Sequence, residues 1–588
     1  MLKRFFISML GTMAGLWVAL FLLFFAGMLA LGIAIGKGSG DSMVKVEKHS
    51  ALYFDLSGEV AERVQPADFM QLLQQAENNT PTLEDMLLAL KAAADDDKIE
   101  GLYLNCSGAA MGMAAREELL EAIYAFQESG KWVYAYSDNY GEGDYMIATT
   151  ADCVALNPVG SIDIHGLGGM SPFFKGLLDK VGIKMQIIKV GTYKSAVEPF
   201  ILTSMSEPAK EQMQQYLDSI WSYMSATMAD NRGLSVDSIR AMASQMISTR
   251  QAETFIADGL ADTLVYRRQS DDILRDYLGL DADKDLRLVT PADYLTAKNI
   301  INDKGGSDHI AILYAIGDIS DSGKEGIVGP DMVGNIVSLA NDDHVKGMVF
   351  RVNSPGGSAF ASEQIWEALE YFKSKGKPLY VSMGDYAASG GYYISCGADS
   401  IFADRTTITG SIGVFGMIPD LSGLVTDKLG VTFTTVETTP NAAGINGLEP
   451  MTPAQHAAMQ QSVDNIYELF TSRVAQGRGL SQDYVKSIAE GRVWVGTSAL
   501  RLGLVDAIGS LETAVYAMAY DLDLNETDVV RYPKTESNIW EQVIRQAGGI
   551  DQLKAAGYDA ETMRYINTVR RITTANPIQA RIEPIIFK

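Results

Sequence analysis

The sequence predicts an α/β protein in which one module is used twice behind a single membrane-spanning helix. Three observations carry that prediction: an uncharged apolar run over residues 5–36, a repeat that returns in register through most of the remaining chain, and short β runs alternating with amphipathic helical stretches in the copies. At 588 residues the chain is long enough for several domains, and 47% hydrophobic content is ample for large cores. With 48 Lys and Arg against 73 Asp and Glu, the formal charge of −25 repels phosphate backbones and argues against nucleic acid as a partner. Cys106, Cys153 and Cys396 allow one intramolecular disulfide at most and sit in apolar runs, where buried thiols are expected. The five histidines are scattered without metal-ligand spacing, so no metal site is expected.

Residues 5–36 contain no charge, and ~20 apolar residues at a rise of 1.5 Å already cross the ~30 Å hydrocarbon layer. Lys3 and Arg4 precede the run, which keeps residues 1–4 in the cytoplasm and sends everything after Lys37 across the membrane. A cleaved signal peptide is the competing reading, but its apolar core spans only ~7–15 residues. The Gly-rich stretch from Gly36 to Asp41 then reads as a tether, within a linker over 37–50.

The repeat is visible by eye. Asp96-Asp97-Lys98-Ile99-Glu100-Gly101-Leu102 matches Asp342-Asp343-His344-Val345-Lys346-Gly347-Met348, and Gly130-Lys131 matches Gly376-Lys377 in the same register. With small shifts, Ala151-Asp152 answers Ala398-Asp399, Gly160-Ser161-Ile162 answers Gly410-Ser411-Ile412, and Gly259-Leu260-Ala261-Asp262 answers Gly503-Leu504-Val505-Asp506. The modules are placed at 51–298 and 299–532, with a tail over 533–588 assigned to packing or assembly. In the second copy strands are expected over 309–319, 345–353 and 378–383, with a helix over 362–372 whose Ile365, Leu369 and Phe372 share one face. Strand and helix in alternation imply a parallel sheet between helical layers.

A duplicated fold keeps its packing residues in both copies, whereas a chemical site needs only one set. Three disagreements between the copies therefore carry information. After the second strand, copy two has Asn353-Ser354-Pro355-Gly356-Gly357-Ser358 where copy one has Ser107-Gly108-Ala109-Ala110-Met111-Gly112. Paired glycines suit a turn that aims amides at a developing anion, or simply a tight turn. After the third strand, copy two has Ala388-Ser389-Gly390-Gly391-Tyr392, with Glu142 of copy one in the place of Ser389. Ser389 is either a helix N-cap or a nucleophile beside a helix N-terminus and the Gly390 amide. Finally, copy one carries Gly191-Thr192-Tyr193-Lys194-Ser195-Ala196, whereas copy two has no lysine between Lys428 and Lys486. Each copy keeps one half of a potential reactive pair.

A serine hydroxyl needs a base within hydrogen-bond reach, and Ser–Lys is one recognised solution. The lysine must be neutral to act. With an ordinary pKa of ~10.4 it is neutral at pH 7 in only about one molecule in a few thousand, so burial must bring it toward neutrality at ~4 kcal/mol, and Lys194 is expected to be desolvated. Ser411 is the candidate to orient the amine, although its repeat in Ser161 allows a structural role. A Ser–His–Asp site is disfavoured because no histidine lies between His344 and His456 and the Gly-x-Ser-x-Gly elbow is missing.

On these motifs the chain resembles the signal peptide peptidase A (protease IV) family in its long, duplicated bacterial form. The resemblance implies ClpP/crotonase-like modules and a dyad of Ser389 as nucleophile with Lys194 as general base. It further implies an oxyanion hole from amides near Gly357 and at Gly390, with Gly356 also a candidate, and a role for Ser411 in holding the lysine. It implies no cofactor. The expected partners are cleaved signal peptides and other unfolded hydrophobic peptides, the membrane, and further copies of the chain as a homo-oligomer, a tetramer by resemblance. The expected location is the bacterial inner membrane, single-pass, with the catalytic modules on the periplasmic side. Two rival readings are a crotonase-type acyl-CoA enzyme, which would need a carboxylate in place of the Ser–Lys pair, and a ring-forming scaffold without chemistry.

Overall fold

The computed structural model describes residues 45–64, 81–300, 307–525 and 528–534, and the backbone of 578–581. The expected membrane span at 5–36 lies outside the described residues, and among these no helix is long and apolar enough to cross a membrane.

Two sheets repeat one strand order. The first runs Leu288–Val289, Ser50–Glu59, Ile99–Ala110, Trp132–Tyr140, Cys153–Ile162 and Thr263–Leu264, all parallel. The second runs Val529–Tyr532, His309–Ile316, Val345–Ser354 and Leu379–Ala388. It then divides, Ser400–Ala403 leading to Ala507–Ile508 and Ile408–Gly410 to the antiparallel Val493–Val495. Central strands such as Val345–Ser354 are buried along nearly their whole length, as expected of a parallel sheet covered on both faces. The helix expected over 362–372 spans Ala359–Ser374, extended at its start by Ser358, which accepts the Ala361 amide at 3.2 Å. The strand expected over 309–319 stops at Ile316, because Gly317 turns at φ +95° and sends Ile319–Ser320 into a different sheet.

That third sheet joins the copies. Its order is Ile327–Val328, Ile319–Ser320, Gly356–Ser358, Ile578–Arg581, Val414–Asp420 and Lys184–Val190. Lys184–Val190 of copy one lies antiparallel along Val414–Asp420 of copy two, from Val190 opposite Val414 to Lys184 opposite Asp420. From the tail over 533–588, Ile578–Arg581 lies antiparallel to both Gly356–Ser358 and Val414–Asp420.

A second joint is polar. Helix Met113–Glu128 of copy one has Gly112 at its N-cap, which offers no capping side chain, and Asp385 of copy two accepts the Ala114 and Ala115 amides at 2.9 and 3.2 Å. Glu117 on that helix accepts from Arg405 Nη1 at 2.6 Å and Thr406 Oγ1 at 3.1 Å. Glu118 lies 2.8 Å from the fully buried Arg351, which also meets Glu62 at 2.5 Å.

Candidate active site

Ser389 lies between strand Leu379–Ala388 and helix Gly390–Ser395 with φ 57° and ψ −112°, a backbone conformation that serine rarely adopts. The turn is held by its amide donating to Gly410 O and by Tyr393 N donating to its carbonyl, each at 2.8 Å. Its side chain makes no capping hydrogen bond, so the helix-cap reading does not describe its use. Gly391 is needed one step on, because a Cβ there would lie 2.6 Å from the Ser354 carbonyl oxygen.

Lys194 arrives from copy one. Strand Lys184–Val190 ends at Gly191, which turns at φ +111° so close to the second copy that a Cβ would lie 2.4 Å from Glu490 O. Tyr193 N then donates to the same Glu490 carbonyl at 2.9 Å. The outcome is a buried Lys194 with Nζ 2.7 Å from Ser389 Oγ, 3.1 Å from Ser411 Oγ and 3.2 Å from Ser411 O. Ser411 is fixed in turn, its amide donating to Arg492 O at 2.7 Å and its hydroxyl to Gly491 O at 3.3 Å. Ser389, Lys194 and Ser411, chosen from the sequence, thus converge although the first two are 195 positions apart.

The expected oxyanion residues differ in availability. Gly356 N donates to Ser354 Oγ at 3.1 Å, so this amide is already engaged. Gly357 lies opposite Ile319 on one side and Ala580 on the other, and a Cβ there would lie 2.0 Å from Ile319 O, which explains the glycine by close approach. Gly390 opens the helix beside Ser389.

Copy one shows the same place filled. Tyr392 donates to Leu504 O and Tyr145 to Leu260 O, at 2.8 and 2.7 Å, which aligns Glu142 with Ser389 and Asp144 with Gly391. The buried Glu142 accepts the His165 and Gly166 amides at 3.0 and 2.8 Å. Asp144 accepts the Gly108 and Ala109 amides at 2.7 and 3.2 Å. The turn amides that could face an anion therefore already hold one. Burial raises the Glu142 pKa, with the two backbone amides opposing it.

One position that shapes this site escaped the sequence reading. Gly491 presses on Lys194: at φ +78°, a Cβ there would lie 2.8 Å from both Lys194 Cβ and N. The positive-φ residues Met246 and Glu490 align Ile247 of copy one with Gly491, so a further disagreement between the copies was the available signal. Gly491→Ala is expected to push Lys194 off Ser389 and lower kcat by on the order of 10²-fold, checked by steady-state peptidase kinetics with circular dichroism to confirm folding.

The sequence model of Peptidase family S49 matches this chain twice, over residues 125–279 and 371–525, and that of Clp protease matches 324–408. The chain belongs to Peptidase family S49. It is a serine protease, and its relatives agree. Protease 4 of Haemophilus influenzae is 40% identical over 73% of this chain and 71% of its own length. Protease 4 of Salmonella typhi is 34% identical over 84% of this chain and 82% of its own. The serine protease SPPA, chloroplastic, of Arabidopsis thaliana is 29% identical over 80% and 69% respectively. Membership of the S49 family sets aside both the acyl-CoA enzyme and the inert scaffold. The two S49 matches fall one in each copy, yet only copy two of this S49 protease retains a serine at the strand-to-helix turn.

Proposed function

We propose that this S49 serine protease is an endopeptidase in which Ser389 is the nucleophile and Lys194 the general base. The observation that carries the reading is the 2.7 Å approach of Nζ to Oγ between two buried side chains from different copies. A neutral amine has two N–H bonds and one lone pair. With the N–H bonds directed to Ser411 Oγ and O, the lone pair is left to accept the Ser389 hydroxyl proton. Burial of the amine disfavours its charged form and so favours the basic one.

Ser389 Oγ attacks the peptide carbonyl as its proton passes to Lys194, and the Gly390 and Gly357 amides receive the oxyanion. Lys194 then protonates the leaving amine, breaking the C–N bond and leaving an acyl group on Ser389. Water, deprotonated by the same lysine, releases the acid and restores the hydroxyl. No step calls for a cofactor.

An extended peptide is the favoured substrate. The chain's own Ile578–Arg581 backbone pairs with Gly356–Ser358 on one side and Val414–Asp420 on the other, against helix Gly390–Ser395, which begins next to Ser389. A substrate strand added at that place would be read by main-chain hydrogen bonds, tolerating many sequences. Apolar, signal-peptide-like substrates fit the expected span at 5–36, which would hold the site at a membrane surface, and a relative in Enterococcus faecium, 32% identical over 39% of this chain, is named a putative signal peptide peptidase SppA.

The test is digestion of a synthetic apolar signal-peptide segment and a hydrophilic peptide of equal length by the purified full chain in detergent. Internal cuts in the apolar peptide, lost in Ser389→Ala, are expected; equal or exclusive cutting of the hydrophilic peptide would contradict the substrate class. Deleting residues 578–588 is expected to lower KM several-fold at unchanged kcat, because a tethered occupant competes at high effective concentration. An unchanged KM would show that this strand does not compete with substrate.

A further inference from the structure

One short segment of copy two, residues 490–494, holds the base loop and the serine beside it at once. Glu490 O accepts the Tyr193 amide at 2.9 Å, one residue before Lys194, while Gly491 O accepts the Ser411 hydroxyl at 3.3 Å and Arg492 O the Ser411 amide at 2.7 Å. Glu490 and Ser411 have φ of 51° and 50°, left-handed conformations that are costly for residues with a side chain and persist only where the surroundings hold them. From the side chain that supplies this hold we infer that Arg492 is a positioning residue: by clamping the segment to copy one it sets the place of Lys194 Nζ against Ser389. The inference rests on the Ser–Lys reading and extends it to a residue outside the dyad.

The Arg492 side chain reaches copy one at two places. Its guanidinium carbon lies 4.6 Å from the centre of the Tyr193 ring, and Nη1 donates to the Tyr193 hydroxyl at 3.2 Å. Nη2 donates to Glu211 Oε1 at 3.0 Å and to Gln215 Oε1 at 2.6 Å, both on helix Glu207–Arg232. The next amide, Val493 N, donates to Gln212 Oε1 on the same helix at 2.9 Å, and the Trp494 ring centre lies 4.7 Å from the guanidinium carbon. A planar cation can stack on a ring and fork to acceptors at once, which fixes a loop in more directions than one hydrogen bond does. Tyr193 is thereby held on one side by its backbone and on another by its ring, immediately before Lys194.

Both halves of this clamp are missing where no base needs holding. In copy one, Met246, Ile247 and Ser248 stand in the places of Glu490, Gly491 and Arg492. Gly233 and Gly479 end the two equivalent helices, which puts Ala457 and Ala458 of copy two in the places of Glu211 and Gln212. The clamp is therefore distributed as Ser389 and Lys194 are, one half kept in each copy.

The test is steady-state kinetics of the full chain in detergent, on an apolar fluorogenic peptide across pH, with Lys194→Ala as the reference. Arg492→Ala is expected to lower kcat by on the order of 10–10²-fold with KM within about two-fold of wild type, since the misplacement falls on the base and not on the substrate. Its acid limb is expected to move to higher pH, because a loosened loop lets water reach the Lys194 amine and favours its charged form. Tyr193→Ala removes no charge at neutral pH and leaves the copy-two segment unaltered; it is expected to reproduce both effects. Tyr193→Phe keeps the stacked ring and is expected to recover most of kcat, and Arg492→Ala combined with Tyr193→Ala to be no worse than either alone. Should Arg492→Ala not fold, the two Tyr193 variants carry the test. Wild-type kcat and acid limb in Arg492→Ala or Tyr193→Ala, even at a lower melting midpoint, or effects that add in the double variant, would overturn the positioning role, while an inactive Lys194→Ala leaves the dyad standing. A Lys194→Ala enzyme with wild-type kcat would instead overturn the dyad, and the role of Arg492 with it.

Discussion

Lys194→Ala is expected to lower kcat by on the order of 10⁴-fold or more, and Ser389→Ala by a similar factor, with the double variant no worse than either alone. The non-additivity follows from the geometry. The two side chains meet at 2.7 Å, and in the proposed mechanism each acts through the other. Lys194→Arg is expected to fail almost as completely, because a guanidinium stays protonated and is too large for a site closed by Gly491 and Gly413. In the proposed mechanism the reacting amine is neutral, so kcat/KM is expected to rise with pH along its acid limb. Ser411→Ala removes the hydroxyl that faces Nζ at 3.1 Å and is expected to shift that limb while sparing part of kcat. These outcomes are read from pH–rate profiles of the five variants; a Lys194→Ala enzyme with wild-type kcat would remove lysine from the mechanism.

The second large effect concerns stability. Arg351 is fully buried between Glu62 of copy one and Glu118 of the docked helix, and it also donates to Ser382 Oγ at 2.9 Å. Arg351→Met leaves those carboxylates without their cation and is expected to cost about 3–5 kcal/mol in denaturant unfolding. Adding Glu118→Gln should recover part of the loss. Asp404 lies against the same cluster; burial first, then Glu118 and Glu117, holds its carboxyl well above the ordinary range, and burial raises Glu118 too. Acids that bind protons more tightly folded than unfolded stabilise fully below the ordinary carboxylate pKa of ~4, and that stability is lost as pH rises through the raised folded values. Asp404→Asn cannot ionise and is expected to flatten the decline, seen as a smaller difference in urea midpoint between acid and alkaline buffers. A decline of wild-type slope in Asp404→Asn would place the linkage elsewhere.

Much of the fold was legible because duplication exposes it. Strand and helix positions followed from apolar runs and helical spacing, and Ser389 and Lys194 stood out because each copy had lost the residue the other kept. The third sheet was not legible. Lys184–Val190 has the composition of an ordinary strand, and nothing local says that its partner lies 230 positions away in Val414–Asp420. The polar joint was hidden for the same reason: nothing local to Asp385 or Glu117 says that its partners lie in the other copy. Ile578–Arg581 was invisible because its pairing is made by backbone groups, which any sequence supplies.

The most direct measurement is to trap the acyl-enzyme. The full chain is mixed with an apolar peptide ester, quenched in acid within the first turnover and digested for mass spectrometry. The account predicts an acyl adduct on Ser389 in the wild type, and none in Lys194→Ala over the same interval. An adduct on another residue, or one that forms on Ser389 at an undiminished rate without Lys194, would contradict the paired Ser–Lys site.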